Sequence, residues 1–163
     1  MHIKQNNKIE YLVERALDRL YKNDHYLIEY KPFDSHEKNG SHHVGERAIV
    51  FHLARYMLEI MHEDVFFDDY SLDCEYNRNM HEAKVIPSNP HGVYPDVIIH
   101  KRGRNDGNWA IFEIKTYWNK NQSFDQAKIR DFLDENGDYQ YEHGVLIRLE
   151  KNRSEVDVRY FNS

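Results

Sequence analysis

With 163 residues, 40% of them hydrophobic and 13% aromatic, the chain has material for one cored domain and lacks the composition of a disordered segment. A formal charge of −6 excludes polyanion binding through bulk positive charge, so any contact with nucleic acid must be local. Cys74 is the single cysteine, which excludes an internal disulfide; the opening MHIKQNNKIEY lacks the apolar core of a signal peptide, and no apolar run is long enough for a bilayer. The expectation is a cytoplasmic protein without membrane contact.

Ile9, Leu12, Val13, Ala16, Leu17 and Leu20 recur at helical spacing and predict an amphipathic helix ending near Lys22-Asn23-Asp24. Lys31 to His43 gathers Pro, Gly, Asn and Ser without a period and reads as a loop. From about Val44 to Met61 a second helix carries the stripe Ile49, Leu53, Tyr56, Met57 and Ile60. SLDCEYNR alternates Leu72, Cys74 and Tyr76 with Asp73, Glu75 and Asn77, as an edge strand with one wet face does, and Glu75 reads as solvated. MHEAKVIPSNPHGVYP holds three of the four prolines and reads as a long connection. Next comes the hairpin Tyr94 to Lys115 around the turn RGRND. Ser123 and Gln126 then form a capping box for a helix bearing Phe124, Ala127, Ile129, Phe132 and Leu133, with Gly137 placed to stop it. HGVLIRLE and EVDVRYF predict two further strands. The order is α/β, with helices expected on both faces of a central sheet, in a single domain over 1–163.

The hairpin carries charge where buried strands should not. A four-residue turn, Gly103 to Asp106, sets His100 opposite Trp109, Ile98 opposite Ile111 and Asp96 opposite Glu113, with Lys115 two positions further on the same face. Opposed carboxylates repel unless a positive group lies between them, and Mg²⁺ suits a site of one or two carboxylates completed by water and phosphate. Glu46 lies three residues before Ile49 and seven before Leu53, on the core-facing stripe of its helix, where the helix dipole tolerates an acid but gives it no reason to face inward.

Tyr94-Pro95-Asp96, followed after sixteen residues by Glu113-Ile114-Lys115, resembles the PD-(D/E)xK motif of the restriction-endonuclease-like nuclease superfamily, and the chain is similar to small bacterial members of it. The resemblance covers roughly residues 44–149 and implies an α-β-β-β-α-β core of mixed sheet, with residues 1–43 and the last strand as additions. It implies a Mg²⁺- or Mn²⁺-dependent nuclease acting on DNA more readily than RNA, with a homodimer left open. Asp96, Glu113, the Ile114 carbonyl and Glu46 would hold the metal, and Lys115 would orient or deprotonate the attacking water. The basic turn Lys101, Arg102 and Arg104, the aromatics Tyr117 and Trp118, and Lys128 are candidate nucleic-acid contacts. Asp125 and Lys128 fall on one helix face and could reach the site as supporting groups. For each there is a plainer reading: a strand-end salt bridge for the hairpin charges, a first-turn acid for Glu46, a solvated hairpin tip for the basic turn, core or rim packing for the aromatics, and an ordinary surface pair, the more expected reading, for Asp125 with Lys128. The competing function is a catalytically silent module that keeps the nuclease scaffold for binding. The eleven histidines, His36, His42, His43 and His91 among them, lack zinc-site spacing, and no phosphate- or dinucleotide-binding glycine motif is present.

Overall fold

The structure is a computed structural model that describes residues 5–29, 43–119 and 123–163. In chain order the elements are α1 (Gln5–Asn23), α2 (Glu46–Met61), β1 (Ser71–Cys74), β2 (Arg78–Asn79), β3 (Glu82–Ala83), β4 (Val97–His100), β5 (Ala110–Thr116), α3 (Ser123–Leu133), β6 (His143–Leu149) and β7 (Asp157–Asn162), with three short 3₁₀ turns between them. Five strands form one sheet in the order β1-β4-β5-β6-β7. Only β5 and β6 run parallel, because α3 carries the chain back across the sheet between them. The expected α/β class, the mixed sheet and the edge position of β1 are present.

Burial follows from alternation along the strands. Val97 and Ile99 of β4, Phe112 and Ile114 of β5, and Val145, Ile147 and Leu149 of β6 join one apolar cluster with α1 and α2. Ile98, Ile111 and Leu146 turn the other way and meet Ile129, Phe132 and Leu133 of α3. With both faces covered, β4 is buried along its whole length, which a half-wet strand could not be. The α1 residues Leu12, Val13, Ala16, Leu17 and Leu20 are wholly buried, so this helix is integral to the core rather than an appendage. Among the described residues no helix is long and apolar enough to cross a membrane.

Several local expectations need correction. The strand expected over SLDCEYNR stops at Cys74, because Glu75 takes φ +49° and turns the chain; the connection after it contains the small ribbon β2-β3, which its prolines and short length concealed. The hairpin register is as expected, with Val97 facing Phe112 and Ile98 facing Ile111, but the connection closes with the Lys101 N–H on the Gly107 carbonyl. α3 ends at Leu133, ahead of Gly137, whose N–H closes a separate turn onto the Asp134 carbonyl; Ala127 is exposed. The loop expected at Lys31 to His43 lies outside the described residues except for His43, and the side chains of the Ser123 cap and Phe124 lie outside them as well.

Two contacts hold the α3 face. Lys84, following β3, is 2% exposed, and its ammonium lies 5.0 to 5.6 Å from the ring centroids of Tyr76, Phe132, Tyr139 and Tyr141. It donates to the Tyr141 hydroxyl at 3.3 Å, and burial lowers its pKa to about 8. Gly144 of β6 is the point of closest approach of α3: a Cβ there would stand 2.4 Å from Ile129 Cγ2 and 3.1 Å from Leu133 Cδ1. Gly144→Ala should therefore cost about 1–3 kcal/mol through overpacking, read as a lower midpoint in urea, and Ile129→Val in the same chain should recover part of it.

Candidate functional site

Asp96, Glu113 and Lys115 come to one end of the sheet, on the face that α3 covers. β5 places Glu113 and Lys115 on the face of Ile111, and Asp96, next to the first residue of β4, shares the face of Ile98. Ile114 lies beyond the last β4–β5 partner pair, and its N–H donates to Asp96 Oδ2 at 2.7 Å. Asp96 thus satisfies a backbone donor that the ladder leaves over, and its backbone carbonyl accepts from the Glu75 N–H at 3.2 Å.

Glu113 is 1% exposed. Lys128 Nζ of α3 stands 2.7 Å from its Oε1 as an ion pair whose angle is poor for a hydrogen bond, and the same ammonium donates to the Tyr94 carbonyl at 2.8 Å. Burial and then the nearby charge of Asp96 push the Glu113 carboxyl up to about 8, against the pull of Lys128. Asp96 is raised too, mainly by burial, with the Ile114 amide and Lys115 opposing.

Lys115 turns from Glu113 toward two other acids, with Nζ 3.5 Å from Glu46 Oε1 and 3.8 Å from Asp125 Oδ1. Burial works against its charge, but Asp96, Asp125, Glu46 and Glu113 together raise its pKa. Glu46 begins α2 and reaches over the end of β5, where its Oε2 accepts from the Thr116 N–H and hydroxyl, each at 3.1 Å, and from Asn119 Nδ2 at 3.3 Å. Asp125, 5% exposed, is raised chiefly by burial, and its Oδ2 is buried with no hydrogen-bond partner. Asp125 and Lys128 are therefore not the surface pair expected. Their signal was in the period: Asp125, Lys128, Ile129 and Phe132 follow the i, i+3, i+4, i+7 spacing of a buried helix face.

The other candidate contacts lie elsewhere or are occupied. Lys101, Arg102 and Arg104 are at the opposite end of the hairpin. Lys101 is 3.8 Å from Asp69, Arg104 is paired with Asp106, and Arg102 and His100 hold the Asp73 carboxyl well below its usual range although burial alone would raise it. Tyr117 and Trp118 are half-buried against the α1–α2 cluster, and Trp118 stacks on His43 at 4.1 Å. Lys128 is buried against Glu113 and faces no open surface.

A cavity of about 320 Å³ opens beside the acids, lined by Glu46, Arg47, Val50, Phe51, Cys74, Glu75 and Asp96. Glu75, read from sequence as solvated, is exposed and paired with Arg47 at the rim of this cavity; the positive φ that directs it there leaves no trace in residue type. Among the described residues no three His, Cys, Asp or Glu side chains gather closely enough to hold a metal ion. Four carboxylates (Glu46, Asp96, Glu113, Asp125) face two ammoniums (Lys115, Lys128), an excess of two negative charges once Glu113 is ionised and of one while it keeps its proton, as it does below pH about 8. Mg²⁺ needs only one or two carboxylates, and the two that share this face are Asp96 and Glu113.

Lys128→Met should cost about 3–5 kcal/mol above pH 8 by leaving the Glu113 charge buried alone. A carboxyl with a raised folded pKa favours the folded chain at the acid end and loses that advantage as pH rises. The deficit should therefore open only above pH about 8, where Glu113 ionises in the parent chain but not in the variant, and should stay level from about 8 down to the ordinary 4.5 of a glutamate, in denaturation curves at several pH values.

Comparisons of this chain with protein-family models, with curated proteins and with solved structures find no match.

Proposed function

We propose that this chain is a metal-dependent nuclease that hydrolyses phosphodiester bonds, DNA in preference to RNA. The observation carrying the reading is the unbalanced pair Asp96 and Glu113 on one face at one sheet end, with Lys115 beside them in partial burial. An isolated surface salt bridge would not raise a glutamate so far, nor would it draw two further charged residues of α3 out of water.

In this reading Asp96 and Glu113 would hold Mg²⁺ or Mn²⁺, with the carbonyl of Ile114, which lies between Glu113 and Lys115 in the chain, as a further ligand. The ion, when bound, supplies charge neutralisation at phosphate and acidifies a water. Lys115 sets its ammonium where charge grows on phosphorus, held there by Glu46 and Asp125. Glu46, engaged by Thr116 and Asn119, acts in this reading as the residue that positions Lys115 rather than as a further ligand. Lys128 keeps Glu113 accessible to ionisation, and release of the Glu113 proton couples metal binding to pH.

The silent-module reading draws on a different observation, the lack of a three-acid cage among the described residues. Melting temperature separates the two. Mg²⁺ or Mn²⁺ at about 100 times its dissociation constant should stabilise the protein by roughly 2.7 kcal/mol, and Asp96→Ala should remove that gain. The metal's effect should strengthen as pH rises toward 8, because Glu113 must lose its proton. In a plasmid-cleavage assay with Mg²⁺, Mn²⁺ and EDTA, Lys115→Ala should lower the rate by about 10²-fold or more. Melting curves indifferent to divalent ions, together with intact plasmid throughout, would leave the binding module as the surviving reading.

A further inference from the structure

The cavity beside Asp96 and Glu46 is lined by two unlike kinds of side chain. α2 supplies Val50 and Phe51, and Phe51 is 61% exposed, an aromatic ring left uncovered on a core helix. The same helix brings Glu46, and the chain beyond β1 and before β4 brings the acids Glu75 and Asp96. Arg47 lies at the mouth, with 88% of its side chain exposed and its Nε 2.8 Å from Glu75 Oε1. An exposed aromatic ring and carboxylate acceptors lining one cavity suit a flat ring that carries N–H donors along one edge.

We propose that this cavity receives one unpaired nucleobase bearing an exocyclic amino group, adjacent to the phosphate at Asp96; the inference rests on the nuclease reading above and specifies its substrate. Stacking on Phe51 would hold the base by its face, which every base possesses. Glu75 would accept from the amino group, as a carboxylate does from the N4 amine of cytosine. Thymine and uracil lack that amine and turn carbonyl oxygens toward the acid, so they are disfavoured. Arg47, released from Glu75 by the incoming amine, is exposed and free to turn to the backbone phosphate. At about 320 Å³ the cavity is at the lower end for small-ligand pockets, a size that suits one base swung out of its stack. The substrate is accordingly single-stranded, frayed or otherwise unpaired at the site of cleavage.

The test compares labelled oligo(dC) and oligo(dT), two pyrimidine strands that differ at this amine, by fluorescence anisotropy in Ca²⁺ and by cleavage in Mn²⁺. Oligo(dC) should bind about tenfold more tightly than oligo(dT), and Glu75→Gln should close most of that gap. Phe51→Ala should weaken oligo(dC) roughly fivefold or more while Phe51→Tyr retains binding; both changes are at an exposed position, so folding is not at stake. Cys74 lines the same cavity and is exposed, so oligo(dC) should slow its alkylation by a maleimide and oligo(dT) should not. Cleavage with equal affinity for the two strands, or a preference that survives both Glu75→Gln and Phe51→Ala, would overturn the base-pocket inference and leave the nuclease reading standing. Binding and cleavage of neither strand, nor of plasmid, would bring down both.

Discussion

Glu113 is held out of water beside Lys128, and the end of the sheet is arranged around that pair. A carboxylate buried to this degree is costly unless compensated, and one ammonium at 2.7 Å compensates it only in part, because Asp96 presses a second negative charge on the same space. The surplus spreads outward. Lys115 answers Glu46 and Asp125, Glu46 in turn draws on Thr116 and Asn119, and Asp96 takes the Ile114 amide. Three structural elements, α2, β5 and α3, therefore meet through charge at a place where the apolar clusters on either side of the sheet have run out. Such an end is held by its own ion pairs yet keeps an excess of acid, and it is on that excess that the proposed cation site rests.

Much of this was legible in residue type. The strands announced themselves by apolar alternation, and because β4 and β5 are joined by a short connection, their register could be counted and Asp96 placed on the face of Glu113. The helical stripe of α2 likewise located Glu46 at the end of the sheet. What was not legible depended on backbone angles and on partners distant in sequence. Nothing in the residue type of Glu75 foretells its positive φ, so its approach to the cavity was hidden. The small ribbon β2-β3 is too short to show a period. Asp125 and Lys128 carried a readable helical spacing, yet charge on a helix is so commonly solvated that burial prevailed only because Glu113 and Lys115 waited across the gap.

The same reasoning explains why the basic hairpin tip is not part of the site. Lys101, Arg102 and Arg104 each have an acid close by in the fold, Asp69, Asp73 and Asp106, so their charge is spent at the far end of β4. The lysines drawn inside, Lys84 and Lys128, are held instead by aromatic rings and by Glu113.

Lys84 adds a constraint of timing. Three of the four rings around its ammonium, Phe132, Tyr139 and Tyr141, follow it by some fifty residues, and until they are in place the amine has no reason to leave water. The arm that carries Lys84 doubles back through the Ile86–Asn89 bridge to Val93, whose N–H is bonded to the Lys84 carbonyl, and goes on from there to Asp96. During synthesis, then, Asp96 emerges from the ribosome well before Tyr139 and Tyr141, the rings on which the segment that leads to it docks.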